Sequence, residues 1–237
     1  MKSSLQIDRA AALTRSRAIL ALYLIVPISS IAAAMTVWIA PGTIGQTVAF
    51  GCGIWMLLLP ILWHRFVDRQ ALKFNFSKPQ GFGVDVILGL GMFAIIVASY
   101  WFVGRYWLDI GDIRAKFVLL KMNAPLMVLG FGTFQTLINS GIEEYVWRWF
   151  AFQKCEVLFG RSAVWISAIF FTLHHIILML AYCQDLRLIV SMTMVVFIAG
   201  VIWARCFAKY RSILPSYISH LAADLALQII SWHILLG

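Results

Sequence analysis

Long apolar runs separated by short polar stretches dominate the chain. Seven of these runs approach or exceed the roughly 20 residues that a helix needs to cross a bilayer. Their approximate limits are 18–40, 43–64, 82–104, 124–152, 162–182, 188–208 and 213–235. The stretch 105–123 mixes aromatic and aliphatic residues with arginine and aspartate, which favours an interfacial amphipathic helix over an eighth span. The pattern therefore predicts an all-α fold, a polytopic transmembrane helix bundle of about seven spans plus this interfacial helix.

The first two predicted spans are separated only by Pro41 and Gly42. Because this turn is so short, the pair is open to a second interpretation, a helical hairpin that does not fully cross the bilayer. Both arrangements return the chain to the same side. The sequence contains no internal repeat and no long linker, so it predicts a single membrane domain, 1–237, in which 124–235 carries the candidate chemistry.

Composition and charge support a membrane protein. Hydrophobic residues make up 62% of the chain and charged residues only 12%, against about 25% charged residues in soluble proteins. The formal net charge of +9 comes from cations in short loops rather than from a basic groove, so we expect lipid as a partner and no nucleic acid. The four cysteines are scattered and predict neither a disulfide framework nor a sulfur-ligated metal site.

The distribution of these cations predicts the orientation of the chain. Five of the 19 lysines and arginines lie on the side opposite the N-terminus, and 14 lie on the N-terminal side. The five are Arg105, Arg114, Lys116, Lys121 and Arg187. The excess of positive charge places the N-terminus in the cytoplasm. We therefore expect a multi-pass integral membrane protein, of the cell membrane if the source is bacterial.

Ionisable residues inside three of the predicted spans are the main candidates for function, because such groups are costly in a bilayer. They are Glu143, Glu144 and Arg148 in the fourth span, His174 and His175 in the fifth, and His220 and Asp224 in the seventh. At a helical rise of about 1.5 Å per residue, Glu143, His174, His220 and Asp224 lie roughly 10–18 Å from one membrane face. The sequence thus predicts that they share one layer, at or just inside the bilayer midplane. His175 points to another side of its helix and is interpreted as structural.

Spacing within the helices divides the acidic residues into two roles. Glu144 and Arg148 are four residues apart and predict an ion pair, whereas Glu143 points about 100° away and is free to face a cavity. A carboxylate in such a place is a candidate general base, and His174 would share its water. His220 and Asp224, again four residues apart, would orient a substrate carbonyl or stabilise its oxyanion. The combined chemistry is the attack of water on an amide.

Three strings in this order resemble the signature of the CAAX protease and bacteriocin-processing family, also called CPBP or Abi, of intramembrane endopeptidases. The family pattern EExxxR, FxxxH, HxxxN or HxxxD is present as Glu143-Glu144-x-x-x-Arg148, Phe170-x-x-x-His174 and His220-x-x-x-Asp224. Each string alone is a weak signal, but three in order on three spans are specific. The resemblance covers about 124–235. Within the family, this segment resembles the prenyl-protein endopeptidase branch.

The resemblance implies residue roles and a substrate class. Glu143 would be the water-activating base with His174 as its partner, and Glu144 and Arg148 would support them. His220 and position 224 would form the oxyanion site. The substrate would be a membrane-associated peptide or protein, with or without an attached lipid. The alternative function is that of a non-catalytic immunity or binding protein of the same family. A proton-coupled transporter ranks last, because the sequence shows no pair of repeated halves such as many transporters have.

Two points of the resemblance concern the site directly. The prenyl endopeptidase branch has asparagine where this chain has Asp224, and a carboxylate cannot donate a hydrogen bond unless it is protonated. Asp224 would then orient His220 or bind a metal. Relatives are often called metalloproteases, and Glu143, His174 and His220 are a possible zinc site with one open position. The sequence has neither HExxH nor HxxEH, so we expect no required metal.

Overall fold

The structure is a computed structural model that describes residues 2–70 and 82–237. Every regular element within these ranges is helical and none is a strand, which confirms the all-α prediction. Lys73 and Lys78, two of the cations used to predict orientation, lie outside the described residues. The orientation in the membrane stays a prediction.

Eight helices follow one another within the described residues, and several of them are extended by short segments with wider, π-helical turns. The first four are α1 (Lys2–Ala34, extended by Met35–Ile39), α2 (Thr43–Leu62, extended by Trp63–Val67), α3 (Phe82–Ser99, extended by Tyr100–Gly104 and Arg105–Trp107) and α4 (Ile110–Leu119). Helix α5 consists of Pro125–Thr133, Phe134–Asn139, Ser140–Glu144, Tyr145–Phe152 and Gln153–Phe159. The last three are α6 (Ala163–Tyr182), α7 (Leu186–Tyr210) and α8 (Leu214–Leu236).

Six helical stretches of the described chain are long and apolar enough to cross a membrane. The longest, 58 residues from Pro125 to Tyr182, contains both α5 and α6. These two are separated by the tight turn Gly160–Ser162, where Gly160 has a φ of 55°, and α6 then packs back against the second half of α5. The seven predicted spans therefore correspond to α1–α3 and α5–α8. Helix α4 has only 10 residues and is too short to cross, in line with the prediction of a separate short helix.

The turn between α1 and α2 depends on glycine. Gly42 has a φ of 103°, and a Cβ on Gly45 would collide with the carbonyl oxygens of Met35 and Ala40. The helical stretches on either side of this turn have 28 and 25 residues. Both are long enough to span a bilayer, so the tight turn joins two full-length helices rather than a short hairpin.

The packing of the bundle brings the three polar-bearing helices together. Helix α8 packs along α3 and also against α5, and α6 packs between α1, α5 and α7. The main buried core centres on aromatic side chains of α5, α6 and α7, among them Trp147, Phe171 and Trp203. Large apolar residues such as Phe102 and Leu126, exposed by 81% and 80%, cover the outside of the bundle. An apolar exterior around a polar centre is the arrangement expected of a helical membrane protein.

Candidate active site

The acidic residues of the site lie on a short, regular segment of α5 between two distorted ones. Ser140–Glu144 is α-helical, and the segments on both sides, Phe134–Asn139 and Tyr145–Phe152, have π-helical turns. Such wide turns change the angular position of the residues beyond them and often occur at functional sites. Here Glu143 and Glu144 are both buried although they are adjacent in sequence, because they turn to different partners.

Glu143 faces the two predicted histidines. Its Oε1 lies 3.7 Å from Nε2 of His174, and its Oε2 lies 3.8 Å from Nε2 of His220. Asn139, one turn earlier in α5, donates a hydrogen bond of 2.9 Å to Oε1. Oε2 is buried and has no hydrogen-bond partner within the described parts of the chain. The structure thus brings the carboxylate of α5 and the imidazoles of α6 and α8 around one point.

Glu144 and Arg148 form the expected ion pair, with Nε of Arg148 3.3 Å from Oε2 of Glu144 and both side chains fully buried. The guanidinium also lies over the ring of Phe171, 4.7 Å from its centroid. The second oxygen of Glu144 accepts a hydrogen bond of 3.0 Å from Nδ1 of His220. Glu144 therefore connects the arginine to a histidine of the site, a contact that the sequence did not predict.

His220 is held on several sides. The indole of Trp203 stacks on its ring at 4.1 Å and 17°, and Trp203 itself donates a hydrogen bond of 2.9 Å to Ser219. Oδ2 of Asp224 lies 3.7 Å from Nε2 of His220. Asp224 is thus placed where it can orient His220, one of the roles that the sequence left open for it.

His174 and His175 lie together in α6. Trp147 stacks parallel to His174 at 5.9 Å, and the centroids of the two imidazoles are 4.0 Å apart. One ligating atom each of Glu143, His174 and His175 can be chosen so that all three lie within 4.8 Å of one another, close enough to hold a metal ion. The predicted zinc set shares Glu143 and His174 with this group but has His220 as the third ligand. The structure places His175 there instead.

Sequence reasoning missed three further residues near the site. Asn139 has a visible signal, since an amide four residues before a buried carboxylate reaches it across one helical turn. Trp203 carries no such signal, because it is one of ten tryptophans in the chain. Asp85 is fully buried in α3, the helix that packs along α8, and neither of its oxygens has a hydrogen-bond partner in the described structure. Asp85 is the one acidic residue in the third apolar run, and an ionisable residue inside a span is a candidate functional residue.

The fold and the site together define a class, a multi-pass helical integral membrane protein with a buried carboxylate–imidazole centre. The family model described as type II CAAX prenyl endopeptidase Rce1-like matches residues 125–226. This segment carries all three strings of the signature, and the match confirms the resemblance that they predicted. No match was found among curated proteins or among solved structures.

Proposed function

We propose that the protein is an intramembrane endopeptidase that hydrolyses a peptide bond of a membrane-associated peptide or protein, with water activated by Glu143. One observation carries this proposal. The carboxylate of Glu143 lies 3.7 and 3.8 Å from the imidazoles of His174 and His220, inside the bundle and within the segment that matches the endopeptidase family. Acid and imidazole groups gathered at this depth are costly, so a functional role is favoured.

The proposed reaction begins with a water molecule between Glu143 and His174. Glu143 accepts a proton from this water as its oxygen forms a bond to the carbonyl carbon of the substrate. The carbonyl oxygen becomes an oxyanion, which a protonated Nε2 of His220 stabilises by a hydrogen bond. The proton held by Glu143 then passes to the amide nitrogen as the carbon–nitrogen bond breaks. The products are a carboxylic acid and an amine.

Two supporting contacts make this geometry stable. Asn139 donates a hydrogen bond to Oε1 of Glu143, so the carboxylate is held with Oε1 towards His174 and Oε2 towards His220. Glu144 accepts the Nδ1 hydrogen of His220 while Arg148 balances its charge, so the His220 ring is fixed with Nε2 towards Glu143. Preorganised polar groups of this kind reduce the reorganisation that the reaction would otherwise require.

The residues also fit a zinc ion as a donor set. A carboxylate and two imidazoles are typical zinc ligands that leave one position open, and zinc would supply a Lewis acid and a more acidic water. Nδ1 of His175 lies 3.1 Å from the carbonyl oxygen of Phe171. A hydrogen bond there leaves Nε2 with a free lone pair, as in many metal-binding histidines. We expect zinc, if bound, at Glu143, His174 and His175.

The proposed function is tested by reconstituting the purified protein in lipid vesicles with a mass-coded mixture of peptides. The wild type should generate new peptide ends, and Glu143→Gln should lose about 10²–10⁴-fold in rate, the usual contribution of a general base. Glu156→Gln is the matched control, because this carboxylate pairs with Arg211 at the surface and should leave cleavage unchanged. Cleavage by Glu143→Gln at the wild-type rate would overturn the role proposed for Glu143, and no cleavage by the wild type would favour the non-catalytic binding protein.

A further inference from the structure

A cavity of about 160 Å³ lies between α4, α5 and α8, beside the candidate active site. One of its lining residues is Asp224, whose carboxylate lies 3.7 Å from His220. The cavity extends from there along α8 through Leu227, Gln228 and Leu235. At the Asp224 end, the cavity adjoins the candidate active site. We call it the α5–α8 pocket.

The wall of the α5–α8 pocket combines an apolar surface with a few fixed polar groups. Val128 and Leu227 belong to the apolar part. Gln228 donates a hydrogen bond of 3.1 Å to the backbone carbonyl of Val128, which holds its carboxamide in the wall. Thr136 also lines the pocket and is only 5% exposed, and its hydroxyl has no hydrogen-bond partner among the residues described. A mostly apolar wall with a few placed polar groups is typical of a ligand site.

The carboxamide of Gln228 occupies the space next to Gly132 on the opposite helix. A Cβ on Gly132 would overlap the carboxamide of Gln228, whereas a Cβ on Gly130, two residues earlier, would meet nothing within 4 Å. The backbone of α5 therefore approaches Gln228 closely at Gly132, next to the position where Gln228 bonds to Val128. This close approach gives the pocket a defined shape rather than a gap between loosely packed helices.

The volume of the pocket limits what it holds. An apolar cavity of about 150 Å³ accommodates one benzene molecule, so the α5–α8 pocket accommodates one medium-sized apolar group. One apolar side chain of a peptide has this size, and the hydroxyl of Thr136 and the amide of Gln228 line the same pocket.

The order of the helices indicates on which side of the bundle the pocket lies. It lies by the start of α5, the end of α8 and the short helix α4, which are all on the side of the bundle opposite the start of α1. Arg114 of α4 donates a hydrogen bond of 2.6 Å to the carbonyl of Ile234, which fixes α4 against the end of α8 on this side. If the N-terminus is cytoplasmic, as the distribution of cations predicts, the pocket belongs to the non-cytoplasmic half of the bundle.

We propose that the α5–α8 pocket is a specificity subsite that binds one apolar side chain of the substrate peptide next to the bond that is cut. This inference rests on the proposed peptidase function. The substrate is then a peptide segment that reaches the centre from the side opposite the N-terminus and is selected by one of its side chains. Val128, Thr136 and Gln228 determine which side chain is accepted.

The test uses a synthetic peptide series that varies between Ala, Val, Leu, Phe and Trp at each position in turn. Retention of each peptide is measured on the immobilised Glu143→Gln protein, and cleavage is measured with the active protein. Retention should peak for a medium-sized apolar residue at one position. Val128→Ala should move the preference at that position to larger residues and Val128→Phe to Ala, each by about tenfold. Leu126→Ala, an outward-facing change in the same helix, is the control and should alter nothing.

The outcomes separate this inference from the proposed function. If Val128→Ala and Val128→Phe leave the preference unchanged, or if retention does not depend on side-chain size at any position, the pocket is not a subsite. The peptidase proposal would then still hold if the active protein cuts and Glu143→Gln does not. If retention follows the Val128 variants but no peptide is cut, the subsite stands as a binding site and the peptidase proposal fails.

Discussion

Nδ1 of His220 lies 3.0 Å from Oε1 of Glu144, while the other oxygen of Glu144 faces Nε of Arg148 at 3.3 Å. The carboxylate of Glu144 thus pairs with Arg148 of the same helix, α5, and accepts a hydrogen bond from His220 of α8. All three side chains are buried. Burial makes each member dependent on the others, since an unpaired charge in a low-dielectric interior is costly. The relationship explains why a second glutamate, one that does not face the reaction centre, stands beside Glu143.

Replacing Arg148 alone should destabilise the protein strongly. Arg148→Met leaves the buried Glu144 without its counter-charge, and we expect a loss of about 3–5 kcal/mol in the free energy of unfolding. The double variant Glu144→Gln/Arg148→Met removes both charges and should recover a large part of that loss. The measurement is equilibrium unfolding in mixed detergent micelles.

The control for this experiment is Arg211→Met. Arg211 pairs with Glu156 at 2.6 Å, but its side chain is 56% exposed. A surface ion pair contributes about 0–1 kcal/mol, so the change should be small. If the double variant is as unstable as Arg148→Met alone, the buried pair does not behave as a charge-compensating unit.

Two neighbouring glycines of α5 should respond in opposite ways to alanine. Gly132→Ala forces the carboxamide of Gln228 to move and should cost about 0.5–1.5 kcal/mol, the contribution of its hydrogen bond to Val128. Gly130→Ala meets nothing and should be neutral or stabilise the helix by up to about 1 kcal/mol. The melting temperatures of the two single variants test this difference. The double variant Gly132→Ala/Gln228→Ala should recover the stability that Gly132→Ala loses. Equal effects of the two single changes would mean that Gln228 does not pack against Gly132.

Zinc titration distinguishes two possible ligand sets. Because His175 rather than His220 lies with Glu143 and His174 in the group that can hold a metal, His175→Ala should weaken zinc binding by about 10–100-fold or more. His220→Ala should leave the zinc affinity near that of the wild type. Calorimetry on chelator-treated protein gives the affinities and the stoichiometry. If His220→Ala weakens zinc binding and His175→Ala does not, the ligand set is the one expected from the sequence. If the wild type takes up no zinc, this metal site is excluded.

Asp85 should lower the stability of the fold, because it is a fully buried carboxylate without a hydrogen-bond partner in the described chain. Asp85→Asn keeps the shape and removes the charge, so the protein should become more stable by about 1–3 kcal/mol. Asp112→Asn is the comparison, since Asp112 is partly exposed and pairs with Lys116. A marked decrease in stability for Asp85→Asn would show that this carboxylate has a partner that stabilises its charge.

The sequence predicted the central contact but not the environment around it. Helical rise alone placed Glu143, His174 and His220 at similar depth, and the structure brings each histidine within 4 Å of Glu143 because α6 and α8 both pack against α5. His175 was set aside since neighbouring helical residues point about 100° apart. Its ring turns back to the carbonyl of Phe171, four residues earlier, and so stays close to His174.

Other features depend on tertiary packing that no local pattern encodes. The π-helical turns around Ser140–Glu144 leave no periodic signal in a run that is apolar throughout. The stacking of Trp203 on His220 joins α7 to α8, and tryptophan in a span is usually interpreted as an interfacial anchor. The number of helices and the positions of the turns were predictable because bilayer thickness sets the length of each apolar run.

The ion pair within α5 also bears on how the chain is made. Glu144 and Arg148 are neighbours on a single helix, so this helix can neutralise its guanidinium as it leaves the ribosome and enters the lipid, before any later helix has been synthesised. His220, by contrast, is supplied by the last helix. A nascent chain therefore carries the acidic half of the centre into the bilayer early and in a compensated form. It gains the second imidazole only after α8 has been synthesised, so a polypeptide that has not yet reached α8 lacks one member of the proposed centre.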